Sequence, residues 1–333
     1  MMDSESLCTS VTGISTSTID DNRDRTDNIG TDIVNHSGRT CVDAAPQDQD
    51  AVEPPVGPPN KINFLNVIGL VVNAVNFFLI MSFETSSEFL TYDEISDKYK
   101  TLITPKSSAQ IILVVDLVLK FAFVLQQFTS RFRGKKVVQE GVSYLYVILS
   151  ALQFGWTWAF FKEEIHIALV LMFFILAFSA IIVHSQHNIV SSEGGLCWIT
   201  EFVVIRLPFQ IYCGCAIASM ALHINICAVK ANEPASSLIT LAVVSFTILL
   251  CVSMICIQGL TKPIYIIPFV LFWNNFWIYQ ELKDPYIVIY MKFSLATIHG
   301  LRDSALTISI LCLVGIPIHL LNTYLKKPTT EQR

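Results

Sequence analysis

The run IHIALVLMFFILAFSAIIVH, residues 165–184, carries no formal charge, and only His166, Ser179 and His184 in it are polar. Twenty helical residues rise about 30 Å, the thickness of the hydrocarbon core of a bilayer. Lipid offers no partners to open backbone groups, so such a stretch must coil into a helix. Comparable runs lie on both sides of it, at 62–82, 109–128, 142–161, 202–229, 237–257, 263–279 and about 304–321. The pattern predicts an all-α polytopic transmembrane helix bundle of about eight spans. The last span is the least regular, because His299, Arg302 and Asp303 interrupt a pattern that could begin as early as Tyr286. Composition agrees: 53% of the 333 residues are hydrophobic and 15% are charged, against about 45–50% and about 25% in soluble domains.

Charge divides the chain. Residues 1–60 hold three of its 22 basic and eleven of its 27 acidic residues, a net of −8, and the remainder is +3. That segment has no periodicity, is rich in Asp, Ser, Thr, Asn and Pro, and ends in PPVGPP at 54–59. It reads as a disordered tail with a stiff spacer before the first span. The expected layout is an acidic cytosolic tail at 1–60, a helical membrane domain at 61–325 and a short cytosolic tail at 326–333. No basic and apolar leader opens the chain, so no cleavable secretory signal is expected, and eleven acidic residues argue against a transit peptide. The chain is net acidic and no Lys/Arg cluster lies on a foldable segment suited to nucleic acid. The nine cysteines form no C-x-x-C pair. Cys213-x-Cys215 is the closest spacing, and cysteines in apolar runs act as small hydrophobes, so no metal is expected.

Short-loop Lys and Arg set the orientation. Arg131, Arg133, Lys135 and Lys136, between the second and third spans, are the densest basic cluster. With an even number of spans they share a side with both termini, Lys61, Lys262, Lys326 and Lys327, which predicts cytosolic termini. The sequon Asn35-His36-Ser37 would then stay unmodified.

Polar residues inside the spans are the candidates for function. Asp116 lies near the middle of the second span, with Lys120 one turn further along the same face. A carboxylate at that depth costs about 2.5–3.5 kcal/mol even on insertion scales. An ion pair within the helix and a group facing a cavity are both open readings. Arg206 opens the fifth span, either snorkelling to the headgroups or orienting a ligand, and Pro208 predicts a kink that exposes carbonyls. Trp273 and Trp277 share a face, with Asn274 and Asn275 between them. They read as an interfacial belt with asparagines bonded across helices, or as a stacking wall for a ligand. Trp156 and Trp158 fall near the end of the third span, as interface anchors would. Asn73, Asn76, Gln153 and His223 read as helix–helix glue.

No catalytic constellation accompanies them: H-E-x-x-H, G-x-S-x-G, a Walker loop and G-x-G-x-x-G are all missing, so no enzyme is expected. Glu163, Glu164 and His166 lie in a short turn where solvated side chains are expected.

Three stretches carry a family resemblance. YDEISDKY at 92–99 leads to LITP at 102–105; QFGWTWAFF occupies 153–161; RLPFQIYCG occupies 206–214. They resemble the E-I-S-D-K/R-Y/F…T-P, N-x-x-W-x-x-x-F-F and R-x-P-F-x-x-Y-x-G-W elements of the tryptophan-rich sensory protein/translocator protein (TspO/MBR-like) superfamily in its longer versions. Trp273 extends the match toward the seventh span. After Pro105 the superfamily has G-Y-x-F-x-x-W, where this chain has Ser107, Ser108, Gln110 and Leu113, and the Trp after Gly214 is Cys215. Two tryptophans that help to hold porphyrins and sterols are thereby missing.

The resemblance implies a protein that binds or transports a hydrophobic small molecule in a cavity among the second, third, fifth and seventh spans. On that reading Trp156, Trp158, Tyr212 and Trp273 pack the ligand, Asp116 and Arg206 orient its polar end, and Asn274 is a further ligand-binding residue. It implies no cofactor. A solute or proton-coupled transporter with Asp116 and His223 as relays, and a receptor or scaffold recruiting partners through its tail, are the other readings. The bilayer and a hydrophobic ligand are the expected partners, and the sequence leaves homo-oligomer formation open.

Overall fold

Helix α1 (Lys61–Ser82) starts at a reciprocal cap. The Asn60 N–H donates to Asn63 Oδ1 at 3.0 Å and the Asn63 N–H donates to Asn60 Oδ1 at 3.2 Å, which satisfies two of the donors that a helix start leaves open. Seven further long helices follow: α2 (Ile111–Gln126), α3 (Leu145–Phe161), α4 (Ile165–Asn188), α5 (Leu207–Lys230), α6 (Ala235–Met254), α7 (Ile266–Lys283) and α8 (Leu295–Lys326). The computed structural model describes residues 58–82, 92–190 and 196–326, and no strand occurs among them. The expected tail through residue 57, with the Asn35 sequon, and the chain end from residue 327 lie outside the described residues.

Among the described residues, seven helical stretches are long and apolar enough to cross a membrane, where the sequence led us to expect about eight. The difference is α7, whose eighteen residues include Asn274, Asn275, Gln280, Glu281 and Lys283. It rises about 27 Å, and it packs against α5, α6 and α8.

Several boundaries move from their expected positions. The third span, expected from residue 142, begins with a wide π-type turn at Val137–Val142, breaks at Ser143 (φ 49°) and resumes as α3. The last span begins at Leu295 and absorbs His299, Arg302 and Asp303. Arg302 reaches Asp303 at 2.8 Å, so these charges partner each other without ending the helix. The expected kink at Pro208 does not form within α5. Pro208 occupies its second position, and the irregularity is a π-type turn upstream, at Phe202–Arg206. A proline near a helix start removes a donor that had no partner to lose.

The hairpins α3–α4 and α5–α6 end alike. Glu163 and Asn232 both adopt φ 57°. Each donates its N–H three residues back, and the following residue donates five back: Glu163 to Phe160 and Glu164 to Ala159, Asn232 to Val229 and Glu233 to Ala228. These paired bonds close the last carbonyls of each helix. The Lys230 ammonium bonds the Glu163 carbonyl, tying the two turns into one end of the bundle.

Helix α5 is the centre, packed against α2, α4, α6 and α7. More than half of its span (56%) is buried, against 22% for α8. Its small residues, Gly214, Ala216, Ala218 and Ala221, let neighbours approach closely, the usual solution where no hydrophobic force draws helices together in lipid. Ten polar side chains inside the spans face inward. Asp116, Lys120, Gln127, Ser150, Thr157, Gln186, Gln210, His223, Asn225 and Asn275 are all buried.

Candidate functional site

A charge pair within α2 rests against α5. Lys120 Nζ lies 2.7 Å from Asp116 Oδ2 and 3.7 Å from the centroid of the Tyr212 ring. Both charged side chains are almost fully buried. The second oxygen, Asp116 Oδ1, has no hydrogen-bond partner. Tyr212 in turn donates to Gln153 Oε1 of α3 at 3.0 Å, so one polar cluster holds three helices at mid-depth. The i,i+4 pair that the spacing allowed is formed.

One turn along α2 from Asp116, a cavity of about 100 Å³ opens between α2, α5 and α7. Its apolar lining includes Ile112 and Leu113 from α2, Cys215, Ala218 and Leu222 from α5, and Val270 and Trp273 from α7. Trp273 is held in place by its indole N–H, which donates to the Ala109 carbonyl at 3.1 Å. Gln110, Ser219 and Asn274 supply the polar side chains of the lining.

A larger and more polar space of about 410 Å³ adjoins it. The two share Pro105, Ala109, Gln110 and Leu222 as walls. The rim of this vestibule is charged. Lys100 bridges Asp97 at 3.1 Å and Glu281 at 3.0 Å, and stands 4.3 Å from the centroid of the Tyr286 ring. Burial alone would lower the Lys100 pKa, but the bonds to Glu281 and Asp97 outweigh it and hold the amine above the ordinary lysine range. The Lys100 amine therefore stays charged at neutral pH. The short helix Tyr92–Lys98 and the turn at 101–104, where Thr101 and Thr104 bond each other at 3.0 Å, bring this rim to the end of α7. The backbone N–H of Lys106 closes the join on the Trp277 carbonyl at 3.2 Å.

The residues expected at one site therefore divide. Trp273 and Asn274 line the cavity, and Asp116 and Tyr212 form the cluster beneath it. Trp156 is buried, but its indole N–H donates to His223 Nε2 at 2.9 Å and its ring stacks on Phe160. The other ring nitrogen, Nδ1, lies 2.8 Å from the Ser219 carbonyl, so the geometry assigns the proton to Nδ1 and leaves the ring no free lone pair. Trp158 is 55% exposed and points out of the bundle. Arg206 lies elsewhere. Its guanidinium donates to the Gln186 carbonyl at 2.7 Å, the Ile189 carbonyl at 2.9 Å and Glu201 Oε1 at 3.1 Å. It closes the carbonyl end of α4 and fastens it to the start of α5, a structural task that accounts for all three bonds.

Sequence reasoning missed Gln110, Leu113, Ser219 and Val270 as cavity residues, since only tertiary packing brings them together. One signal was available. Gln110, Leu113 and Cys215, three positions where the chain departs from the family elements, all line the cavity.

A family described as TSPO-like protein matches residues 63–323. No curated protein and no solved structure matches the chain.

Proposed function

Because the chain belongs to the TSPO-like protein family and is an integral membrane protein, we propose that it binds a hydrophobic small molecule between α2, α5 and α7. The supporting observation is the interhelical cavity walled by Trp273 and Asn274 and continuous in its walls with the vestibule. Ligand sites in helical membrane proteins are concave, mainly apolar and carry a few fixed polar groups, which describes this lining. The protein acts as a binder and not as an enzyme. The other arrangement considered, a proton relay through Asp116 and His223, has less support. One oxygen of the Asp116 carboxylate is engaged by Lys120, and both nitrogens of His223 are occupied.

The test is tryptophan emission from the reconstituted protein titrated with apolar ligands. A saturable quench that Trp273→Ala abolishes is the expected result. A quench that Trp273→Ala leaves intact, or none with any ligand, overturns the reading.

We also read both termini as cytosolic, on the basic loop at 131–136 and with α7 counted as an eighth crossing. The expected outcome is that Asn35 carries no glycan in a eukaryotic host. A glycosidase-sensitive mobility shift would reverse the orientation.

A further inference from the structure

Three polar side chains face the cavity without a partner. Gln110, Ser219 and Asn274 line it, and none of the three side chains forms a hydrogen bond with the described residues. On the same helices Asn225 Nδ2 donates to Ser245 Oγ at 2.8 Å and Trp273 to the Ala109 carbonyl at 3.1 Å, whereas Asn275 Oδ1 and Trp277 Nε1 are buried and open. All three are half-buried, so their donors and acceptors stand open to whatever fills the cavity. Two carboxamides and a hydroxyl offer donors and acceptors together.

No charged residue lines the cavity. Lys106, beside the lining residue Pro105, lines the vestibule with Lys100, Asp97 and Glu281, and Asp116, three residues from Leu113, is paired with Lys120. An ionised ligand group entering the cavity would lose its hydration and gain no counter-charge. Size limits the ligand further. A cavity of about 100 Å³ is smaller than the roughly 150 Å³ apolar cavity that accepts benzene.

Building on the proposed binding role, we propose that the cavity takes the uncharged, hydrogen-bonding end of an apolar molecule: a short alcohol, ketone or carboxamide group no bulkier than a benzene ring. The departures from the family elements place this preference in the chain's own residues. Gln110 contributes one of the two carboxamides, and Leu113 and Cys215 wall the space beside it.

Cys215 lines the cavity and Cys251 is exposed on α6, so the native protein carries both a reporter and a control. Protein in lipid nanodiscs is treated with methyl methanethiosulfonate, a small neutral reagent, and modification of each cysteine is followed by mass spectrometry. The treatment is repeated with hexanamide, hexan-1-ol, hexane, hexanoate or hexylammonium present at matched membrane concentration.

Hexanamide and hexan-1-ol are expected to slow modification of Cys215 at least fivefold, saturably, while Cys251 is unaffected. Gln110→Leu and Asn274→Leu are each expected to raise the half-protecting concentration of hexanamide about tenfold. If either fails to fold, Ser219→Ala, a smaller change, is expected to weaken hexan-1-ol severalfold. Protection by hexane equal to that by hexanamide, or stronger protection by hexanoate or hexylammonium, overturns the assignment of ligand class and leaves the binding role standing. Failure of every probe to protect, or of the reagent to reach Cys215 at all, overturns both.

Discussion

Gly214 and Val270 meet with no room for a β-carbon between them. A methyl group on Gly214 would lie 2.8 Å from Val270 Cβ, a separation that packed carbon atoms do not tolerate. The contact sets how closely α5 and α7 approach, and therefore the width of the cavity, which Val270 also lines.

Gly214→Ala is accordingly expected to destabilise the protein by about 1–3 kcal/mol through overpacking, read as a lower unfolding temperature in detergent. Adding Val270→Gly, which removes the opposing β-carbon itself, should recover part of the loss. A single variant as stable as the native protein would mean that the helices can part at no cost.

The buried charge pair makes a different prediction. Removing one partner leaves the other charged and unpaired in a dry interior, at a cost of about 3–5 kcal/mol. Asp116→Leu alone should therefore be strongly destabilising, and so should Lys120→Met. The double variant should approach native stability, because two apolar side chains of similar bulk replace the pair. Thermal unfolding of the four proteins gives the coupling directly. Additive losses would show that the two residues do not act as a unit.

Arg206 should not tolerate lysine. An ammonium cannot reproduce the planar fork that reaches the Gln186 and Ile189 carbonyls and Glu201 together. Arg206→Lys is expected to cost about 2 kcal/mol, in line with the loss of hydrogen bonds from a charged donor. The affinity of any cavity ligand should be unchanged, since the lining lies two or more turns further along α5. A loss of affinity without a loss of stability would return Arg206 to the binding site.

The two tryptophans of α3 should behave oppositely. Trp156→Phe leaves His223 Nε2 without its donor and is expected to cost about 1–3 kcal/mol. Trp158→Phe keeps an aromatic side chain on an exposed face and should change stability by less than about 0.5 kcal/mol, with no effect on ligand titrations. Equal losses from both would contradict the packing described for α3.

The division of Trp156 from Trp158 was already present in their spacing. Residues two apart on a helix project about 200° from each other, so the two could not face one cavity. Other features were equally legible. The unbroken apolar run at 165–184 gave α4 almost whole, and the four-residue step from Asp116 to Lys120 allowed the pair that forms. What remained hidden depends on partners distant in the chain. Arg206 bonds carbonyls seventeen and twenty residues back, and backbone acceptors leave no trace in side-chain patterns. Gln110, Ser219 and Asn274 looked ordinary in isolation, and only the crossing of α2, α5 and α7 makes them neighbours.

Helix α7 has a consequence for how the protein is made. A segment with Asn274, Asn275, Gln280, Glu281 and Lys283 gains too little by partitioning into acyl chains to enter them unaided. It needs α5 and α8 as hosts, and α8 is synthesised after it. The wall bearing Trp273 is therefore the last to be set during biogenesis. Truncating nascent chains before residue 295 should leave α7 accessible to water-soluble alkylating probes, and completing α8 should bury it.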